Sequence, residues 1–174
     1  RTPIETDVAM CRRPGAGHPR VNHLLDTLAK LNLDKIVVVF GPDMAELEAA
    51  VAPHQTTVQY ERLGTGDAVK AGMEAPGGFN GNVLVLYGDS PLISEQTLNG
   101  MLEARQTVEG RFAPTVVVLG FMPDDPGAYG RLVVDEEDGD LLAIVEANDA
   151  TPEELDIGLC NSGVMCFDGE FLPS

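Results

Sequence analysis

Basic residues are what this sequence has least of: 11 Lys and Arg stand against 28 Asp and Glu, a formal net charge of −17 in 174 residues. Nucleic acid and anionic membranes are held by clustered Lys and Arg, so this balance argues against both as partners. Cysteine is scarce as well. Cys11, Cys160 and Cys166 have neither metal-ligand spacing nor an even count, which argues against a zinc site or a disulfide framework and predicts free thiols in a reducing cytosol. His18, His23 and His54 are scattered, without carboxylate or cysteine company, and read as core or surface residues. No apolar window reaches the length of a membrane span. Arg12 and Arg13 lead into Pro-Gly and not into an apolar signal segment. There is no internal repeat or low-complexity tract, and a cytoplasmic location is the expectation.

What is present is a chain long enough for one domain with a real core, with an ordinary apolar content of 44%. Its charge is uneven. Residues 1–35 hold six basic and four acidic residues (+2), and the rest holds five basic and twenty-four acidic (−19). Residues 1–20 show no periodicity and read as irregular. Order begins at Val21, where Val21, Leu24, Leu25, Leu28 and Leu31 repeat at helical spacing. Residues 35–40 (KIVVVF) read as a buried strand, and Asp43 with Glu46 as a capping-box start to a helix. A short strand follows at 57–60, then a Gly64-Thr65-Gly66 loop opens a helix over 67–73. Residues 83–86 (VLVL) read as a strand covered on both faces, as in a parallel sheet. Ser94 caps a helix carrying Leu98, Met101 and Leu102. The rhythm then changes: a strand at 115–121, a turn at 124–127, strands at 132–134 and 141–145 about an Asp138-Gly139 hairpin, and a last strand at 163–167. Alternating β and α units followed by antiparallel strands predict a three-layer, Rossmann-like α/β fold with a mixed sheet.

Gly88-Asp89 ends the 83–86 strand where ligands of open α/β sheets bind, beyond the strands' carboxyl ends. A carboxylate there suits Mg²⁺ carrying phosphates; an ordinary Gly-Asp turn fits equally well. Gly64-Thr65-Gly66 lies between strand and helix, where free N–H groups favour phosphates or base edges, although most such triplets are plain turns. Gln59 carries an amide able to read a pyrimidine edge, or is a polar residue on a half-exposed strand. Glu146 could accept from sugar hydroxyls or be solvated, and Asn161, near Gly163, could reach the same ligand or serve a turn.

The joint order of HLLDTLAKL, VVVFG, VQYERLGTGDAV, VLVLYGDSPLI, DDPGAYGRLV, AIVEANDAT and CNSGVMCF resembles the uridylyltransferase domain of bacterial bifunctional N-acetylglucosamine-1-phosphate uridylyltransferase/glucosamine-1-phosphate acetyltransferase. The resemblance covers residues 21–167. It implies a nucleotide-diphospho-sugar transferase fold and a UDP-N-acetylglucosamine pyrophosphorylase-type reaction, in which UMP passes from UTP to N-acetylglucosamine 1-phosphate and pyrophosphate is released. It further implies that Gln59, Gly64 and Thr65 contact uracil, that Tyr87 and Gly88 line the nucleotide and sugar site, and that Asp89 binds Mg²⁺ as the catalytic carboxylate. Gly130 would offer its backbone to the sugar, and Glu146 and Asn161 would hold its hydroxyls and acetamido group.

Two departures shape the expectations. The family's first strand, its L-A-A-G-x-G-T-R-M loop and the following Pro-Lys pair are missing from residues 1–20, where only GAGHP faintly matches. That segment is expected to be foreign, from a shifted reading frame or misplaced start, leaving 21–174 as an incomplete nucleotidyltransferase domain without its central strand. The chain also stops before the family's second metal-binding Asn or Asp and before the acetyltransferase β-helix, through which the family's trimers form, so a monomer with impaired turnover is expected. The alternatives are a non-catalytic remnant that binds sugar phosphate, or another sugar-nucleotidyl or molybdopterin-type transferase of the same fold.

Overall fold

A computed structural model describes residues 6–11, 18–61, 64–76, 79, 81–88, 93–106 and 112–171. The chain divides into two compact units, Arg1–Val117 with Met165–Ser174, and Val118–Val164. The divisions fall inside strands, where no Pro- or Gly-rich linker marks them, which is why the sequence reads as one domain.

In the first unit, strands β1 (Thr6–Cys11), β2 (Lys35–Phe40), β3 (Gln55–Val58) and β4 (Asn82–Tyr87) alternate with helices α1 (His18–Leu28), α2 (Ala45–Ala50) and α3 (Thr65–Met73), and α4 (Glu95–Ala104) follows β4. The strands lie parallel in the order β3-β2-β1-β4, and the end of β8 (Cys160–Asp168) adds antiparallel to β4. KIVVVF and NVLVLY are rich in β-branched and aliphatic residues and are buried on both faces, as a parallel sheet demands. Val37, Val39, Val83 and Val85 point to one face and pack with Ala68, Ala75 and Phe79 of the α3 region. Val38, Phe40, Leu84 and Leu86 alternate onto the other face and are equally buried. Three layers follow from a sheet apolar on both sides.

The expectation of a missing first strand is corrected. β1 occupies the centre of the sheet, with Met10 opposite both Val38 and Leu86, and Cys11 opposite Val39 and Tyr87. A ladder asks only for backbone N–H and C=O groups, which TDVAMC supplies without a proline or glycine. Pairing on two sides thus overrides a weak apolar pattern. The Gly-rich loop would fall at residues 12–17, outside the described residues. The capping box at Asp43 is also corrected: Asp43 is left-handed (φ 63°), Met44 is the residue before α2, and no side chain caps it. β3 starts two residues earlier than expected and ends at Val58. Ser94 does cap α4, its hydroxyl accepting from the Thr97 N–H at 3.1 Å.

A buried polar cluster lies at the amino end of β4. Arg105, 7% exposed, donates from Nε to Asn82 Oδ1 (3.2 Å), pairs through Nη2 with Asp168 Oδ2 (3.0 Å), and donates from Nη1 to the Pro114 carbonyl. Cys166, one strand over, is fully buried; burial pushes its thiol up to about 12, against a smaller opposing pull from the Arg105 guanidinium. Cys160 and Cys166 are free thiols, as expected.

In the second unit, β6 (Arg131–Val134) pairs antiparallel with β7 (Leu141–Val145) and with the start of β8. β5 (Val116–Phe121) leads into this unit, and α5 (Pro152–Leu155) carries a full capping box between Thr151 and Glu154. The expected hairpin is present, with Gly139 at φ 76°.

Candidate functional site

The first unit gathers its predicted residues at the carboxyl ends of the parallel strands. Gln59 follows β3 and extends its ladder, its N–H donating to the Phe40 carbonyl at 2.8 Å. Its side-chain Nε2 donates to the Gly64 carbonyl at 3.1 Å and to Asp67 Oδ2 at 2.9 Å. Gly64 precedes α3 at φ 110°, a conformation costly for any side-chain-bearing residue, and no side chain caps the helix. Among the described residues no side chain takes the first-turn amides of α3, which suits a ligand or water there. A Cβ on Gly66 would meet nothing within 4 Å, so the glycine borders open space. Tyr87 ends β4, half-buried against the α3 face of the sheet, and Gly88 is buried beside it. Asp89 and Leu63 lie outside the described residues, as does the Thr65 side chain. Among the described residues no group of three or more His, Cys, Asp or Glu could hold a metal.

In the second unit the strand register assembles the other three. Arg131 opposes Val145 across β6–β7 and Cys160 across β6–β8, so one step back Gly130 meets Glu146 and Asn161. The Asn161 N–H donates to the Gly130 carbonyl at 2.8 Å, and a Cβ on Gly130 would stand 3.4–3.5 Å from the Glu146 carboxyl atoms. Glu146 is exposed and Asn161 half-buried. Asn161 does serve a turn: its Oδ1 accepts from the Gly163 N–H at 2.9 Å, and Gly163 has φ 79° within β8. Among the described residues its side-chain amide nitrogen has no hydrogen-bond partner.

Sequence reasoning missed the groups that hold these residues. Arg131, in the AYGR run, is 3% exposed and donates to the carbonyls of Pro126, Gly127, Tyr129 and Leu155. It ties the loop carrying Gly130 to the end of α5, and Tyr129 stands edge-on to Phe121 at 4.9 Å. An arginine next to a glycine, in a chain so poor in basic residues, is the signal the sequence offers. Arg131→Lys keeps the charge and loses the five-donor fork. We expect it to lower stability by about 2–3 kcal/mol, read from the urea midpoint; an unchanged midpoint would remove the clamp.

A MobA-like NTP transferase domain matches residues 11–131. The chain is 52% identical over 173 residues to the bifunctional protein GlmU of Paramagnetospirillum magneticum, an alignment covering 99% of this chain and 37% of that protein. It is 52% identical over 159 residues to GlmU of Rhodospirillum rubrum, covering 91% and 34%. The chain thus spans about a third of the length of these relatives. Among solved structures, CMP:2-keto-3-deoxy-manno-octonic acid synthetase in complex with CTP superposes with a TM-score of 0.69 at 17% identity, covering 97% of this chain and 76% of that one. The 4-diphosphocytidyl-2C-methyl-D-erythritol synthase of Anaerococcus prevotii does so with a TM-score of 0.62 at 16% identity, covering 95% and 71%. These two likenesses bear out the expected fold.

Proposed function

The chain belongs to the MobA-like NTP transferase family, and on that premise we propose that it carries the uridylyltransferase chemistry of a UDP-N-acetylglucosamine pyrophosphorylase: UMP passes from UTP to N-acetylglucosamine 1-phosphate, and pyrophosphate leaves. The observation that carries the proposal is the register within the second unit that brings Gly130, Glu146 and Asn161 together; within the first unit, Gln59 holds the Gly64 carbonyl at the start of α3. The identity to GlmU over nearly the whole chain supports the same reading.

In this reading Gln59, Gly64 and Thr65 meet the uracil, and Tyr87 and Gly88 line the nucleotide and sugar. Gly130, Glu146 and Asn161 take the sugar. A phosphate oxygen of the sugar phosphate attacks the α-phosphorus of UTP in line. Such transfers need positioning and charge neutralisation, not a side-chain nucleophile. Asp89 is the residue that would hold Mg²⁺. What supports this is the sequence order: Asp89 comes after Gly88, which is buried beside Tyr87 at the carboxyl end of β4. One carboxylate suffices there, because Mg²⁺ takes most of its remaining ligands from phosphates and water. The ion would neutralise the triphosphate, in a chain with few cations to do so.

Turnover is expected to be low, because no L-A-A-G-x-G-T-R-M loop occurs in residues 1–20. Binding is the sharper test. Calorimetry should detect UTP in the presence of Mg²⁺, and N-acetylglucosamine 1-phosphate separately. A pyrophosphate-release assay then measures turnover. Absence of UTP binding in the presence of Mg²⁺ would end the proposal.

A further inference from the structure

Gln59 spends both amide hydrogens inward, on the Gly64 carbonyl at 3.1 Å and on Asp67 Oδ2 at 2.9 Å. A carbonyl and a carboxylate only accept, so the amide cannot be turned over without setting its oxygen against two others. Its backbone is pinned as well, through the N–H bond to Phe40. Among the described residues Oε1 has no partner. The half-buried side chain thus offers an acceptor and no donor.

We propose that Asp67 is a positioning residue that sets base choice: by holding the Gln59 amide, it makes the site require a ring N–H donor and turn away a ring nitrogen that accepts. This rests on the nucleotide reading above and deepens it. A pyrimidine-2,4-dione presents a donor at N3. A 4-aminopyrimidine presents a lone pair there, which would face Oε1 acceptor to acceptor. It could meet Oε1 only through its 4-amino group, one ring position away, and that displaces the ring. Neither Asp67 nor Gln59 needs to touch the reacting phosphorus. The pair acts on affinity and selectivity alone.

The test is calorimetry of UTP, CTP and 3-methyl-UTP, each with Mg²⁺, on the unaltered chain, Asp67→Ala and Asp67→Asn. The unaltered chain should prefer UTP to CTP by about tenfold or more, the penalty for one unmatched, desolvated polar group. It should discriminate against 3-methyl-UTP, which lacks the ring N–H, by a similar factor. Asp67→Ala should bring the UTP/CTP ratio to within roughly threefold, since one of two restraints on the amide is gone. Asp67→Asn, whose Oδ1 still accepts, should keep most of the preference. A purely structural role would weaken UTP and CTP alike and leave the ratio intact. An unchanged ratio in Asp67→Ala, a ratio lost equally in Asp67→Asn, or equal affinity of the unaltered chain for UTP and CTP overturns the proposal while sparing the nucleotide reading. The 3-methyl-UTP comparison needs no substitution, so it decides even where a variant fails to fold; equal binding of UTP and 3-methyl-UTP is a refutation. Absence of any UTP binding overturns both.

Discussion

Asp89→Ala is expected to abolish the magnesium dependence of UTP binding, weakening affinity for the magnesium complex by roughly a hundredfold; losing a group that merely hydrogen-bonds a metal ligand already costs about 10–100-fold. In the sequence Asp89 comes two residues after Tyr87, the last residue of β4, a strand paired parallel with β1 and antiparallel with β8. A triphosphate brought to an acidic chain, with a formal net charge of −17, meets repulsion unless cations stand between. One carboxylate that recruits Mg²⁺ reverses the sign of that local interaction. Affinity for N-acetylglucosamine 1-phosphate should change little, because its proposed partners are Gly130, Glu146 and Asn161. Measured turnover should fall in step with the loss of magnesium–UTP, by at least the same factor. A magnesium titration that is identical in the variant and the unaltered chain would refute the assignment.

The second large effect concerns folding. Arg105→Ala removes a guanidinium that is 7% exposed and satisfies Asn82, Asp168 and the Pro114 carbonyl together. Removing one partner of a buried ion pair typically costs about 3–5 kcal/mol, because the survivor is left without compensation. Asp168 is 27% exposed, so water can reach it and the lower end of that range is the expectation. For a domain of this size the melting temperature should fall by roughly 10 °C. The double variant with Asp168→Ala should lose less than the sum of the singles, a coupling that a urea-denaturation cycle measures. UTP affinity should survive in the folded variant, since Asn82 begins β4 while Tyr87 and Gly88, proposed to line the nucleotide, lie at its other end. Full additivity of the two substitutions would show that the pair does not act together.

Much of this architecture could be read in advance. KIVVVF and NVLVLY declare themselves as strands by unbroken aliphatic runs, and Ser94 and Asp138-Gly139 mark their cap and turn by local chemistry. β1 was not legible because its partners are β2 and β4, and neighbours, not intrinsic pattern, make TDVAMC a strand. Asp43 looked like a cap, yet its left-handed backbone leaves Met44 to begin α2. The family motifs led to Gln59, Gly130, Glu146 and Asn161. They did not lead to Asp67, Arg105 or Arg131, whose roles depend on which oxygens lie within reach after folding. Thr151-Pro-Glu-Glu154 carries a helix start in its local chemistry, the Thr151 and Glu154 side chains each bonding the other's backbone N–H.

The place of β1 also governs the order in which the sheet can be built. Its flanking strands are synthesised later, and the register with β4 joins residues 6–11 to 82–87. On the ribosome this segment must wait, unpaired on one side, until some seventy further residues have emerged. Contacts so far apart along the chain slow assembly, so the unpaired edge of β1 gives a chaperone that captures extended backbone an early opportunity, before the edge of β4 that waits for β8.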